Sequence, residues 1–350
     1  MAVTKNEFGK SKEGKELTVF TLSNSHGMSV KVTDLGATLA AIMLPDKYDN
    51  VRDVLLGYDT AEGYYEGTCY FGALIGRSGN RIEKGRFELN GKTYQLDLNN
   101  NGNNLHSGNY GFDKRQWDVA EVTDSSVRFA ILDEDMQDGY PGNFRCSVTY
   151  TLTEENELFL HYEAESDQDT VANMTNHAYF NLGGEDSGSV LDQEVMLTAE
   201  YYTPIRDSGS IPTGEIAPVK GTPMDFTVSK KIGKDIDADF EQLQFAGGYD
   251  HNFVLKREKG TVEKFAEAYC RQTGICLEAY TDLPGVQFYT GNYITPEPLG
   301  KRGRSYAERD AFCLETQFYP NSINQEGFAR PVIRAGEKYE STTCYKFSVK

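Results

Sequence analysis

Of the five histidines in this 350-residue chain, three sit in polar, asparagine-rich settings. They are the runs Asn103-Asn104-Leu105-His106-Ser107-Gly108, Asn173-Met174-Thr175-Asn176-His177-Ala178-Tyr179-Phe180-Asn181 and Tyr249-Asp250-His251-Asn252-Phe253. Asparagine beside histidine points to a dense hydrogen-bonding pocket, where an imidazole can serve as acid or base near neutral pH. The other two read as structural, His161 in an alternating strand and His26 in a Ser/Asn/Gly turn. One carboxylate stands alone in the apolar run Phe312-Cys313-Leu314-Glu315-Thr316-Gln317-Phe318-Tyr319-Pro320. Burying an unpartnered carboxylate costs several kcal/mol, so Glu315 is either the wet-face residue of a strand or a functional group. Pattern alone favours the strand with a wet face. The segment Gly76-Arg77-Ser78-Gly79-Asn80-Arg81-Ile82 carries glycines and two arginines. Its spacing is not G-x-G-x-x-G and no helix is evident behind it, which discounts dinucleotide binding.

The elements that must position these groups read as β-strands. Tyr339, Ser341, Thr343, Tyr345, Phe347 and Val349 share one face of a C-terminal segment. Val148, Tyr150 and Leu152 alternate with polar neighbours before a turn at Glu154–Asn156, and Leu158 to Ala164 follows as a hairpin partner. Phe265–Arg271 and Ile275–Tyr280 flank a turn at Thr273-Gly274, and further strand-like runs occur at Leu17–Leu22, Ser29–Thr33 and Ser126–Ile131. Short helical turns are expected only near Thr60–Tyr65 and Ser229–Asp235. Many strands with Gly, Asn and Asp turns indicate an all-β fold, an antiparallel sandwich or barrel with few short helices. With no fixed repeat and no low-complexity linker, residues 1–350 are expected to form a single domain. The stretches 98–115, 201–225 and 282–305 read as long Gly/Pro/Asn-rich connections, the usual place for a site on a β scaffold.

Composition removes several classes of function. A net charge of −18 without an acidic tail repels polyanions and anionic lipid, so neither nucleic acid nor a membrane surface is an expected partner. No segment approaches membrane-spanning length, and Met1 to Lys15 lack the apolar run of a signal peptide. The six cysteines form no CxxC pair and no zinc spacing. They read as reduced, buried small hydrophobes in a reducing compartment, and the expected location is cytoplasmic.

Taken in order along the chain, these segments resemble the aldose 1-epimerase (galactose mutarotase) family. Asn80-Arg81-Ile82 is similar to the family's asparagine–arginine pair, with Gly79 in place of the more usual alanine. Asn104-Leu105-His106 resembles its first histidine motif, with Ser107 where glycine is common, and Gly111-Phe112-Asp113-Lys114-Arg115-Gln116-Trp117 follows. Thr175-Asn176-His177-Ala178-Tyr179-Phe180-Asn181-Leu182 resembles the second histidine motif. Ile211-Pro212-Thr213-Gly214-Glu215-Ile216 with Gly221-Thr222-Pro223-Met224-Asp225-Phe226 resembles a structural signature, and Tyr249 to Phe253 the aspartate motif. Pro284-Gly285-Val286-Gln287-Phe288-Tyr289-Thr290-Gly291-Asn292 is similar to the segment that supplies a glutamine to the sugar. Leu314-Glu315-Thr316-Gln317 is similar to the catalytic glutamate motif, with Phe318 where asparagine or histidine is frequent.

The resemblance implies a large antiparallel β-sandwich, the galactose mutarotase-like supersandwich, that interconverts the α and β anomers of a free aldose. By that resemblance Glu315 is the base at the C1 hydroxyl, His177 the acid at the ring oxygen O5, and His106 a hydrogen-bonding partner near O5. Arg81, Asn80, Asp250 and Gln287 hold other hydroxyls. Opening a hemiacetal needs an ionised carboxylate and a protonated imidazole together, and their mutual attraction is expected to help both. The reaction calls for neither a metal nor a redox cofactor. A monosaccharide is the expected partner, for a monomer or homodimer. Three rivals set tests. A hexose 6-phosphate relative needs free cations at the cleft, for which Lys301, Arg302 and Arg304 are candidates. A non-catalytic sugar-binding module has no need of an opposed acid and base. A glycosidase would recruit Asp250 as a second carboxylate, and a metal-dependent isomerase would recruit His106, His177, His251 and Glu315.

Overall fold

The alternating runs pair as their patterns demand. Phe144–Leu152 and Glu157–Ser166 form a hairpin in which Leu152 faces Leu158 and Val148 faces Tyr162. Lys338–Val349 lies against the second of these strands and buries Tyr339, Ser341, Thr343, Tyr345 and Phe347 on one face, while Val349 reaches solvent. Glu263–Tyr269 and Ile275–Thr281 pair across the Thr273-Gly274 turn. In the computed structural model, which describes residues 1–256 and 260–350, these strands belong to a nine-stranded sheet. Its order is 118–122, 126–133, 144–152, 157–166, 338–349, 275–281, 263–269, 194–197 and 230–231. The first 53 residues add a five-stranded meander, and all of these pairs run antiparallel.

A second five-stranded sheet carries the site. Its order is Ala217–Pro218, Tyr201–Thr203, Asp250–Val254, Gly285–Tyr289 and Cys313–Gln317. One face packs on the nine-stranded sheet: Thr316 Oγ1 lies 2.6 Å from Thr343 Oγ1, and the Tyr345 hydroxyl donates to the Leu314 carbonyl at 3.3 Å. Phe253, Phe288 and Phe226 fill the same side with ring contacts near 5–6 Å. Since side chains alternate, Cys313, Glu315 and Gln317 must point to the opposite face. That face is also covered, so the last two strands are buried at every position.

Two expectations change here. Stretches 282–305 and 201–225, which the sequence presents as connections, contain the interior strand Gly285–Tyr289 and the short strands Tyr201–Thr203 and Ala217–Pro218; a strand buried on both faces, like Gly285–Tyr289, shows no alternation. The helical turn expected near Ser229–Asp235 is present as the single 3-10 turn Ile232–Lys234, preceded by a two-residue strand. The other helical turn holds: Ala61–Glu66 is an α-helix whose first turn is capped by the Thr60 hydroxyl. A further α-helix, Glu241–Ala246, was not foreseen. Among the described residues no helix is long and apolar enough to cross a membrane, and all six cysteines are free and buried.

Candidate active site

Three backbone devices bring the predicted groups together over the polar face of that sheet. Glu315 sits at the middle of its strand, directly across from Gln287, which in turn faces Asn252. His177 leaves the short strand Thr175–Asn176, its N–H donating to the Ala73 carbonyl and its own carbonyl accepting from Gly72, both at 2.9 Å. His106 follows Asn104–Leu105, which pairs with Arg81–Ile82. The Asn80 N–H donates to His106 Nδ1 at 3.1 Å and the His106 N–H returns to the Asn80 carbonyl at 3.1 Å.

Asn80, His106 and Ser107 all occupy the left-handed region, with φ of 58°, 53° and 70°. Asparagine tolerates that conformation better than most residues. The serine at 107, where glycine is the easier choice, is tied in place by its hydroxyl, which accepts from the Ser78 N–H at 2.9 Å and reaches the Ser78 carbonyl at 3.3 Å.

The resulting cleft encloses about 540 Å³, within the range of small-molecule sites. Asn80, Arg81, His106, His177, Asp250 and Glu315 all line it. Gln287 does not: it lies beneath the wall, with its amide donating to Asp250 Oδ1 at 2.7 Å. Arg81 Nη1 stands 3.9 Å from the other Asp250 oxygen. His177 Nε2 and Glu315 Oε2 face each other at 3.5 Å, yet Oε2 has no hydrogen-bond partner. A buried carboxylate oxygen left open beside an imidazole is poised for an incoming donor.

Several lining residues were not singled out from the sequence. The ring of His177 lies nearly parallel to those of Tyr179 and Tyr70, with centroids 4.9 and 6.0 Å away, and Tyr289 meets it edge-on at 6.1 Å. Tyr70 also touches His106, at 4.8 Å. Asn100, Asn101, Ser208 and Tyr293 also line the cleft. Tyr179 and Tyr289 stood inside recognised motifs, and the long stretches 98–115 and 201–225 were marked as site loops. Tyr70 had no local signal.

Electrostatics modify the expected pairing. Burial pushes the Glu315 carboxyl well above its ordinary range, with Asp250 adding to the effect and Arg81 opposing it. Burial also pushes His177 down to about 3 and His106 well below the usual imidazole range. At 3.5 Å the attraction of a carboxylate and an imidazolium is about 5 kcal/mol at an effective dielectric of about 20. Desolvating two ions costs several kcal/mol each, so burial favours the neutral pair and the attraction alone does not charge both groups. The neutral pair and the ion pair hold the same single proton and differ only in which partner carries it.

His106 Nδ1 accepts a backbone N–H, so the neutral ring carries its proton on Nε2. The atoms that His106, His177 and Glu315 can offer lie within 4.8 Å of one another, a spacing that a metal could bridge. A protonated Nε2 on His106 is a donor and not a ligand, which disfavours that use. His251 is turned to the opposite face of the sheet, where it pairs in register with Phe288 and packs edge-on against Tyr202. The cations proposed for a phosphate are engaged elsewhere. Lys301 Nζ binds Asp53 at 2.8 Å and the Leu55 carbonyl at 2.9 Å, Arg302 pairs with Glu185 and Asp186, and Arg304 lies 3.5 Å from Asp186. None of the three lines the cleft. His161 bonds Thr342 at 3.0 Å in the nine-stranded sheet, and His26 is exposed.

Comparison with known proteins identifies a family along most of the chain. The profile of the aldose 1-epimerase family matches residues 18–346. The chain is 41% identical over 350 residues to the galactose mutarotase of Rattus norvegicus, covering 100% of this chain and 99% of the relative. It is 37% identical over 338 residues to the aldose 1-epimerase of Escherichia coli (strain K12), with 96% of each covered. Among solved structures, the galactose 1-epimerase of Lactobacillus acidophilus superposes with a TM-score of 0.87 at 28% identity, covering 100% of this chain and 99% of that one. An aldose epimerase homologue from C. elegans gives the same TM-score and identity, with 95% and 98% covered. The chain belongs to the aldose 1-epimerase family, enzymes that interconvert the anomers of aldoses.

Proposed function

We propose that this enzyme opens the ring of a free aldose with Glu315 as base at the C1 hydroxyl and His177 as acid at O5. The observation that carries the assignment is the buried, unpartnered Glu315 Oε2 facing His177 Nε2 at 3.5 Å in the cleft. A sugar whose C1 hydroxyl donates to Oε2 and whose O5 accepts from Nε2 favours the ion-pair tautomer at both ends. Hydrogen bonds to charged groups contribute about 1.5–3 kcal/mol each, which shifts the balance toward moving the one shared proton from Glu315 to His177. The carboxylate then takes the hydroxyl proton, the imidazolium protonates O5, and the C1–O5 bond breaks. Rotation about C1–C2 exposes the other face of the aldehyde, and reclosure reverses both transfers. His106, a donor at Nε2, orients the ring oxygen, while Arg81, Asn80 and Asp250 hold the remaining hydroxyls. Gln287 acts on the sugar through Asp250, from below the wall.

Free sugars of the glucose and galactose type suit this cleft better than their 6-phosphates, since Lys301, Arg302 and Arg304 are neutralised away from it. A reducing, cytoplasmic setting is supported by six unpaired cysteines. The deciding experiment is a coupled mutarotation assay on pure α-anomers of free and phosphorylated hexoses. Turnover of free sugars above the buffer rate with weaker turnover of phosphates supports the reading. A preference for phosphates, or no excess over buffer, removes it.

A further inference from the structure

We infer that Gln317 is a positioning residue, the hub of a buried amide ring that holds the sugar-binding wall against the acid–base pair. Its carboxamide is fully buried and engaged at both atoms. Asn80 Nδ2 donates to its Oε1 at 3.3 Å, and its Nε2 donates to Gln287 Oε1 at 3.0 Å and to Asn252 Oδ1 at 3.1 Å. Gln287 passes the direction on by donating to Asp250 Oδ1. Asp250 Oδ2 faces the Arg81 guanidinium at 3.9 Å, and the Arg81 backbone N–H donates to Asn80 Oδ1 at 2.8 Å, so that Arg81 closes the ring. The polarity runs one way from Arg81 through Asn80, Gln317 and Gln287, each of these amides accepting from its predecessor and donating to its successor, and it ends on the Asp250 carboxylate, which only accepts. A series of this kind fixes which way these three amides point and so which atoms Asp250, Arg81 and Asn80 present to the cleft.

The backbone makes room for the hub. Gly285 faces Gln317 across the strand pair, and a β-carbon there would lie 2.5 Å from Asn252 Oδ1. Gln317 stands two residues from Glu315 on the same strand face, so the strand that sets the base also sets the ring. Gln317 itself does not line the cleft and acts through Asp250 and Asn80.

The inference rests on the ring-opening reading and is tested in the same coupled assay, where an inactive wild type would sink that reading first. Gln317→Met keeps the length and removes both polarities; Gln317→Leu removes both in a different shape. Both are expected to raise KM for the sugar about tenfold, the scale of one or two lost hydrogen bonds, with kcat changed less than about threefold. In an Asp250→Ala background Gln317→Met is expected to raise KM by clearly less than the roughly tenfold it costs alone, because one of the two groups it positions is gone. Full additivity of the two substitutions, an unchanged KM, or a fall in kcat as large as the fall in kcat/KM overturns the inference. If Gln317→Met yields no folded protein, the same cycle is run with Gln317→Asn, whose shorter arm keeps an amide but cannot span the ring, and is read by the same criteria.

Discussion

Replacing Glu315 by Gln should stabilise the fold, and by an amount that grows with pH. In the native chain the Glu315–His177 pair holds one proton, because burial raises the carboxyl well above 4.5 and lowers the imidazole to about 3. In the unfolded chain Glu315 ionises near 4.5. The unfolded His177 takes up a proton below about 6.5 in both proteins and cancels between them, so above pH 4.5 the native wild type holds one more proton relative to its unfolded state than Glu315→Gln does, and its stability falls relative to the variant as pH rises until the native pair gives the proton up. The slope is about 1.4 kcal/mol per pH unit. In Glu315→Gln the buried imidazole stays neutral and the extra proton is absent, so the difference between the two proteins isolates the pair from the other acidic groups.

For 350 residues the unfolding entropy is about 0.7 kcal/mol per kelvin, which converts the slope to a gap in Tm that widens by about 2 °C per pH unit. Scanning calorimetry of both proteins in steps from pH 5 upward reads it directly. The measurement counts the pair's proton whichever partner carries it. A gap that does not change with pH means that the native pair holds no proton, and the shared-proton route to an ion pair then fails.

The same proton count shapes catalysis. The profile of kcat/KM should show no acid limb between pH 5 and 8, since His177 takes a second proton only near about 3; a limb close to 6.5 would mark an ordinary imidazole instead. Exhaustive treatment with a chelator should leave the rate unchanged, His106 Nε2 being a donor; loss of activity restored by a divalent ion would reassign His106, His177 and Glu315 as ligands. His26→Gln and His161→Gln should keep kcat within about twofold, as expected for substitutions outside the reacting centre, in the same coupled assay.

What could be read in advance followed from which faces are wet. The strands 144–152, 157–166 and 338–349 have one buried and one wetter face, and their alternation was plain. The strands Gly285–Tyr289 and Cys313–Gln317 are buried on both faces, one by the core and one by the polar site, and their alternation vanished. For that reason Glu315 looked like a wet residue in an apolar strand when it is a buried one above a ring of amides. The residues proposed as acid, base and sugar holders came from the ordered motifs. Their spacing does not say that Gln287 lies under the wall, that Tyr70 packs on both histidines, or that Gln317 links three strands to Asn80. Those relations depend on residues far apart in the chain meeting over one sheet. The electrostatics were also hidden, because attraction between acid and base can be guessed from residue types while the cost of burying both cannot.

The most direct test of the proposed chemistry is kcat for Glu315→Gln in the coupled mutarotation assay, on protein whose Tm confirms that it is folded. A glutamine fills the same space but cannot accept the C1 hydroxyl proton, so kcat should fall by about 10²–10⁴-fold, the range of a lost general base. A folded Glu315→Gln enzyme with near-wild-type kcat would contradict the assignment of Glu315 as the base.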